Sequence, residues 1–194
     1  VAVGDNGIVL RSTDNASSFS SVSPYYAGTS RGVTFGNNTF VGVSDGGKTG
    51  RSIDNASSWN NSTSGISTTL YGVTFGNNTF VAVGQSGKIL RSADNASSWN
   101  NSTSPITSSL YGVTFGNNTF VAVGQSGKIL RSTDNASSWD NSTSGISTTL
   151  YGVTFGNNTF VAVGPSGKIL RSTDNGSSWN NSTSGISTTL YGVT

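Results

Sequence analysis

A 40-residue unit that recurs without insertion, four short apolar segments between turns in each unit, and no 3.6-residue apolar period anywhere predict an all-β protein. The architecture that fits is a five-bladed β-propeller of four-stranded antiparallel blades. "YGVTFGNNTF" begins at Tyr71, Tyr111 and Tyr151, "RGVTFGNNTF" at Arg31, and "YGVT" ends the sequence from Tyr191. Residues 111–150 and 151–190 differ only at Gln125/Pro165, Ala136/Gly176 and Asp140/Asn180. The first copy is the most divergent, with "SVSPYYAGTSRGV" where the next has "NSTSGISTTLYGV".

Within one unit, "LYGVTFG" (70–76) is rich in β-formers, and alternation places Tyr71, Val73 and Phe75 on one face. "TFVAVG" (79–84) is apolar on both faces, and "KILRS" (88–92) repeats this through Ile89 and Leu90. Strands apolar on both faces belong between two neighbouring sheets. "SSWNNSTS" (97–104) has one anchor, Trp99, and then only polar residues, as a solvent-facing edge requires. Gly, Asn and Ser turns separate the four segments.

Five full units would span six residues more than the 194 present, and the missing six correspond to "FGNNTF". Val1 aligns with Val81 and Thr194 with Thr154, so a first strand at 190–194 is expected to pair with a second strand at Val1. The expected blades are 190–194 with 1–29, then 30–69, 70–109, 110–149 and 150–189, closing as a monomer in one domain.

Composition narrows function. The sequence has ten Lys/Arg against eight Asp and no Glu, His, Cys or Met. No basic cluster suits nucleic acid, no apolar run suits a membrane-spanning helix, and disulfides and thiolate metal sites are excluded. No cofactor is expected. The sequons at Asn15, Asn37, Asn55, Asn60 and Asn61 follow from the abundance of Asn, Ser and Thr. "GQSGK" (84–88) is a hairpin turn without the helix a phosphate loop needs.

"STDNGSSW" (172–179) resembles the Asp-box, of pattern Ser-x-Asp-x-Gly-x-Thr-Trp, and the copies at 12–19, 52–59, 92–99 and 132–139 resemble it with Ala in the Gly slot. The resemblance, to bacterial Asp-box (BNR-like) propellers, implies a structural hairpin built on Asp14, Asp54, Asp94, Asp134 and Asp174 with Trp59, Trp99, Trp139 and Trp179. Asp134 is placed for an Asx-turn, Asn135 tolerates positive φ, and Ala136 must take either a negative φ or some strain. Arg131 stands three residues before Asp134, within reach of an ion pair. Some Asp-box propellers are sialidases, but that resemblance implies a Tyr–Glu nucleophile pair and an arginine triad. With no Glu and with Arg repeated symmetrically, no catalytic constellation is expected.

Variation around the repeats concentrates in one slot, reading Asp5, Asp45, Gln85, Gln125 and Pro165, next to Lys48, Lys88, Lys128 and Lys168. The candidate ligand residues are therefore Gln85, Lys88, Tyr111, Gln125, Lys128, Tyr151 and Lys168. Amide and ammonium donors beside an aromatic ring suit a sugar. Resemblance to five-bladed lectins implies glycans as the partner, with another protein as the alternative. The near-identity of adjacent units equally suits an amplified, reconstructed or engineered scaffold with no dedicated ligand.

Overall fold

The computed structural model describes residues 1–194. Its strands form five antiparallel sheets, and no α-helix is present. In the fourth sheet an inner strand, Leu110–Gly116, is followed by Thr119–Gly124, Ile129–Ser132 and an outer strand, Asp140–Ser142, each bonded to the one before. The second sheet (Ser30–Gly36, Thr39–Ser44, Thr49–Ser52, Asn60–Ser62) and the third (Leu70–Gly76, Thr79–Gly84, Ile89–Ser92, Asn100–Asn101) repeat this order. So does the fifth (Gly152–Gly156, Thr159–Val163, Ile169–Ser172, Asn180–Ser182). The first sheet has three strands, Ala2–Val3, Val9–Arg11 and Ser20–Val22. Five such meanders in series, each packed on the next, make a β-propeller.

Local chemistry sets the hairpins. Asn117 and Asn118 both take positive φ, 45° and 55°, which makes the turn between the first two strands of the sheet a type I′ turn, matched to strand twist. The turn from second to third strand is a tight one at Gln125–Gly127, in which Ser126 and Gly127 take φ of 56° and 68° and Lys128 N donates to Gln125 O. Tyr71 and Tyr111 depart from the expected alternation. Register shifts between Leu70 and Gly72, and between Leu110 and Gly112, put each tyrosine in a bulge. A bulge re-aims a side chain out of the regular alternation, so Tyr71 does not simply share the face of Val73 and Phe75. The tyrosines instead contact one another from sheet to sheet, with ring centroids 5.1 Å apart for Tyr71–Tyr111, 5.8 Å for Tyr111–Tyr151 and 5.3 Å for Tyr151–Tyr191.

The core lies between sheets, as the two-sided apolar strands require. Val81, Val83 and Ile89 of the third sheet meet Phe120, Ala122, Leu130 and Trp139 of the fourth. The opposite face of the fourth sheet, through Val121, Val123 and Ile129, meets Phe160, Ala162, Leu170 and Trp179 of the fifth. Glycine permits the close approach at the inner strands: a Cβ on Gly116 would overlap the ring of Phe155.

Polar contacts follow the same step. The Nε of Arg11, Arg51, Arg91 and Arg131 donates to the carbonyl of Asn55, Asn95, Asn135 and Asn175 at 2.6, 2.7, 2.7 and 2.7 Å. The ion pair expected between Arg131 and Asp134 is therefore not formed. Arg131 reaches across to the next sheet, where a backbone carbonyl would otherwise lack a donor.

The termini differ from the interior. Leu190 N donates to Gly164 O at 3.0 Å, as Leu150 N does to Gly124 O. Residues 190–194 thus lie where the inner strand of a following sheet belongs. They form no strand, and no backbone hydrogen bond joins them to Ala2–Val3.

Candidate functional site

The strands end on two rims. One carries the Asp hairpins, the other the turns from second to third strand and the connections between sheets.

On the first rim, Asp134, Asn135, Ala136 and Ser137 close a turn through Ser137 N donating to Asp134 O. Asn135 and Ala136 take φ of 61° and 63°, so of the two options for the Ala slot the strained one holds, while Gly176 takes 77° without a side chain. The carboxylate accepts from Ser132 Oγ at 2.8 Å, Ser138 N at 3.0 Å and Ser138 Oγ at 2.6 Å. Ala136 N donates to Ser132 Oγ, completing the loop. The same bonds recur at Asp14, Asp54, Asp94 and Asp174. Bonds from the Ser178 hydroxyl and backbone, outweighing partial burial and joined by the Ser172 hydroxyl, hold Asp174 at about 2. Trp139 is buried beside the hairpin, its ring 6.5 Å from that of Phe120. These carboxylates are engaged in their own hairpins.

On the other rim an open cleft recurs in four sheets. In the fourth it measures about 520 Å³ and is lined by Lys128, Asn141, Ser142, Thr143 and Ser144, with Ile146. Equivalent clefts hold Lys48, Lys88 and Lys168. Lys168 Nζ donates to Asn181 Oδ1 at 3.1 Å across its cleft. The cleft of the third sheet is the smallest, about 280 Å³. Its loop carries Pro105 where Gly65, Gly145 and Gly185 take φ of 77°, 71° and 73°, a conformation closed to proline. The cleft of the second sheet also carries an aromatic side chain, Tyr26.

The structure thus brings Lys88, Lys128 and Lys168 into clefts but places Gln85, Gln125, Tyr111 and Tyr151 outside them. The glutamines open the turns from second to third strand and are exposed, and the tyrosines belong to the sheet-to-sheet row. Sequence reasoning missed Asn141, Thr143 and Tyr26. Asn141 and Thr143 sit in a low-signal polar stretch that only the return of the outer strand brings beside the turn, and Tyr26 reaches Lys48 from the connection that follows the first sheet. Arg31 occupies the tyrosine slot of the second sheet and grips Asp45 through Nε and Nη2 at 2.9 and 3.1 Å, which lowers the carboxyl of Asp45.

No family model and no curated protein matches the sequence. Solved structures do. YCF48 bound to D1 peptide superposes with a TM-score of 0.71 at 17% identity, over 94% of this chain and 62% of that one. YCF48 from Cyanidioschyzon merolae gives 0.73 at 18%, over 97% and 71%. An ancestral GH74 enzyme gives 0.64 at 21%, over 77% and 23%. At these identities the likeness shows the fold: the chain is a β-propeller. It spans less than two thirds of the YCF48 chain in the peptide complex.

Proposed function

We propose that the protein is a non-catalytic binding module whose rim clefts take glycans, several weak sites acting together on a multivalent target. The observation that carries this reading is the fourfold recurrence of one polar cleft, each copy offering a lysine ammonium, serine hydroxyls and an Asn amide, joined in three of the four by a Thr. Cleft volumes of about 280–520 Å³ overlap the low end of small-ligand sites, roughly 300–1,000 Å³. The Tyr26 cleft is the strongest of them, because a sugar face stacks on an aromatic ring while its hydroxyls bond to Lys48 and Asn61. The absence of catalysis is supported by the lack of Glu, His and Cys and by five Asp engaged in structural turns. Those turns we read as Asp-boxes. A scaffold that binds a protein is the second reading, supported by the fold neighbour whose structure holds a peptide.

Calorimetry with mono- and oligosaccharides on the intact chain and on Tyr26→Ala, Lys48→Ala and Lys128→Ala variants tests the proposal. Binding that weakens with each variant supports it. If no sugar binds in the millimolar range, the glycan reading is wrong.

A further inference from the structure

The two rims treat charge differently, unit by unit. On the Asp rim each unit supplies one arginine and one hairpin carboxylate, from Arg11 with Asp14 to Arg171 with Asp174, so the charges match. On the other rim each of the four clefts supplies one lysine, and no carboxylate lines any of them. Lys168 donates once, to the neutral amide oxygen of Asn181, and Lys48, Lys88 and Lys128 donate to no protein acceptor. The slot three residues before each lysine varies in a way that preserves this. It reads Gln85, Gln125 and Pro165 in the third, fourth and fifth sheets, all uncharged. Where the slot is acidic, the acid is kept from a lysine. Asp45 is gripped at both oxygens by Arg31, the only ion pair in the structure. Asp5 is followed by Ile8 in place of a lysine. The remaining carboxylate, Asp140, stands opposite Arg131 on the outer strand, outside the cleft.

An ammonium with spare donors and no counter-charge attracts an anion. Lysine is a compact point charge with three donors, so it takes a carboxylate or a sulfate without the two-pronged geometry that arginine imposes. The rest of each lining is neutral, and its serine hydroxyls and Asn amide are groups that bond sugar hydroxyls. An aromatic platform is present only in the cleft of Tyr26. The clefts of Lys88, Lys128 and Lys168 offer a sugar no ring to stack on, and what they add to hydroxyl recognition is charge. We propose that the clefts select acidic glycans, saccharides bearing carboxylate or sulfate groups, over neutral ones, an inference that rests on the glycan reading above and names the ligand class within it. One exposed pair of this kind contributes little, roughly a two- to five-fold gain in affinity. An acidic chain that engages several clefts compounds the gain. The lysines are half-buried or exposed, so added salt weakens it.

Calorimetry on the intact chain tests the proposal with four probes: an oligogalacturonate, the same oligomer methyl-esterified at every carboxyl, a sulfated galactan oligomer, and inorganic polyphosphate. An acidic oligosaccharide should bind at least about ten-fold tighter than the ester, and the preference should shrink between about 0.05 and 0.5 M salt. The two acidic probes separate the sources, and tighter binding of either one supports the proposal. Lys88→Gln, Lys128→Gln and Lys168→Gln made together should remove most of the preference without altering the circular dichroism of the sheets, and arginine at the same positions should keep it. The ester retains the Tyr26 cleft, so its binding should fall with Tyr26→Ala and not with these lysine changes. If the ester binds as tightly as both acidic oligosaccharides, the acidic-glycan inference is wrong while the glycan reading stands. If no saccharide binds in the millimolar range, both are wrong. Polyphosphate that binds as tightly as the acidic sugars, or a preference that survives the triple glutamine variant, would also overturn the inference.

Discussion

The two rims are built from the same repeats, yet one is closed chemically and the other is open. On the Asp rim each carboxylate accepts three or more hydrogen bonds from its own hairpin, and in the third, fourth and fifth sheets the adjacent Trp is buried between sheets. On the cleft rim the lysines are free or bonded once, and the sequence varies from sheet to sheet. The contrast separates what holds a sheet in place from what is available to a ligand: the Asp carboxylates are saturated by their own hairpins, while the cleft lysines keep donors to spare.

The comparison can be broken by substitution, beginning where the effect is largest. Trp139→Ala empties a buried ring site and should lower stability by about 3–5 kcal/mol, read from urea unfolding. A loss below about 1 kcal/mol would show that the indole is not an anchor. Asp134→Ala frees the serine donors to water and should cost about 1–2 kcal/mol in the same measurement. Its pH counterpart follows from Asp174, held at about 2 against an ordinary 3.8. A depressed carboxyl favours the folded state when ionised, so this stabilisation is complete above about pH 4 and is lost as pH falls toward 2. The thermal midpoint should fall in that window, and Asp174→Asn should flatten the fall.

Smaller effects sharpen the contrast. Ala136→Gly relieves a positive φ, a gain of about 1–2 kcal/mol, but removes a buried methyl worth about 0.8 kcal/mol and loosens the unfolded chain by about 0.4–1 kcal/mol. The net should lie within about 1 kcal/mol of zero, and calorimetric unfolding would decide its sign. Lys128→Ala on the open rim should move stability by less than about 0.5 kcal/mol while weakening any sugar response. A larger loss of stability there would erase the distinction between the rims.

Much of the fold was legible because its signals are local. Asn-Asn and Asp-Asn turns, two-sided strands such as Thr119–Gly124 and a fixed repeat follow from backbone preference and apolar alternation. The lysine half of the clefts was legible through its variable neighbours. Asn141 was not, since nothing in a run of Asn, Ser and Thr marks which residue faces a turn 13 positions earlier, and Tyr26 was not, since it lines a cleft of the following sheet, beside Lys48. The expected Arg131–Asp134 pair misled for a related reason: three positions on the chain are near, but Asn175 O on the next sheet was nearer to the guanidinium.

The sequence by itself determined the repeated sheet, its strand order, its turn types and the residues that pack between neighbours. These depend on interactions within one 40-residue unit and on its identity with the next. Only the tertiary structure decided which side chains share a cleft, where each arginine reaches, and that residues 190–194 and Ala2–Val3 remain apart. The angle between successive sheets settles all three, and it emerges from the packing of Val121, Ile129, Phe160 and Trp179 across an interface rather than from the pattern along any strand.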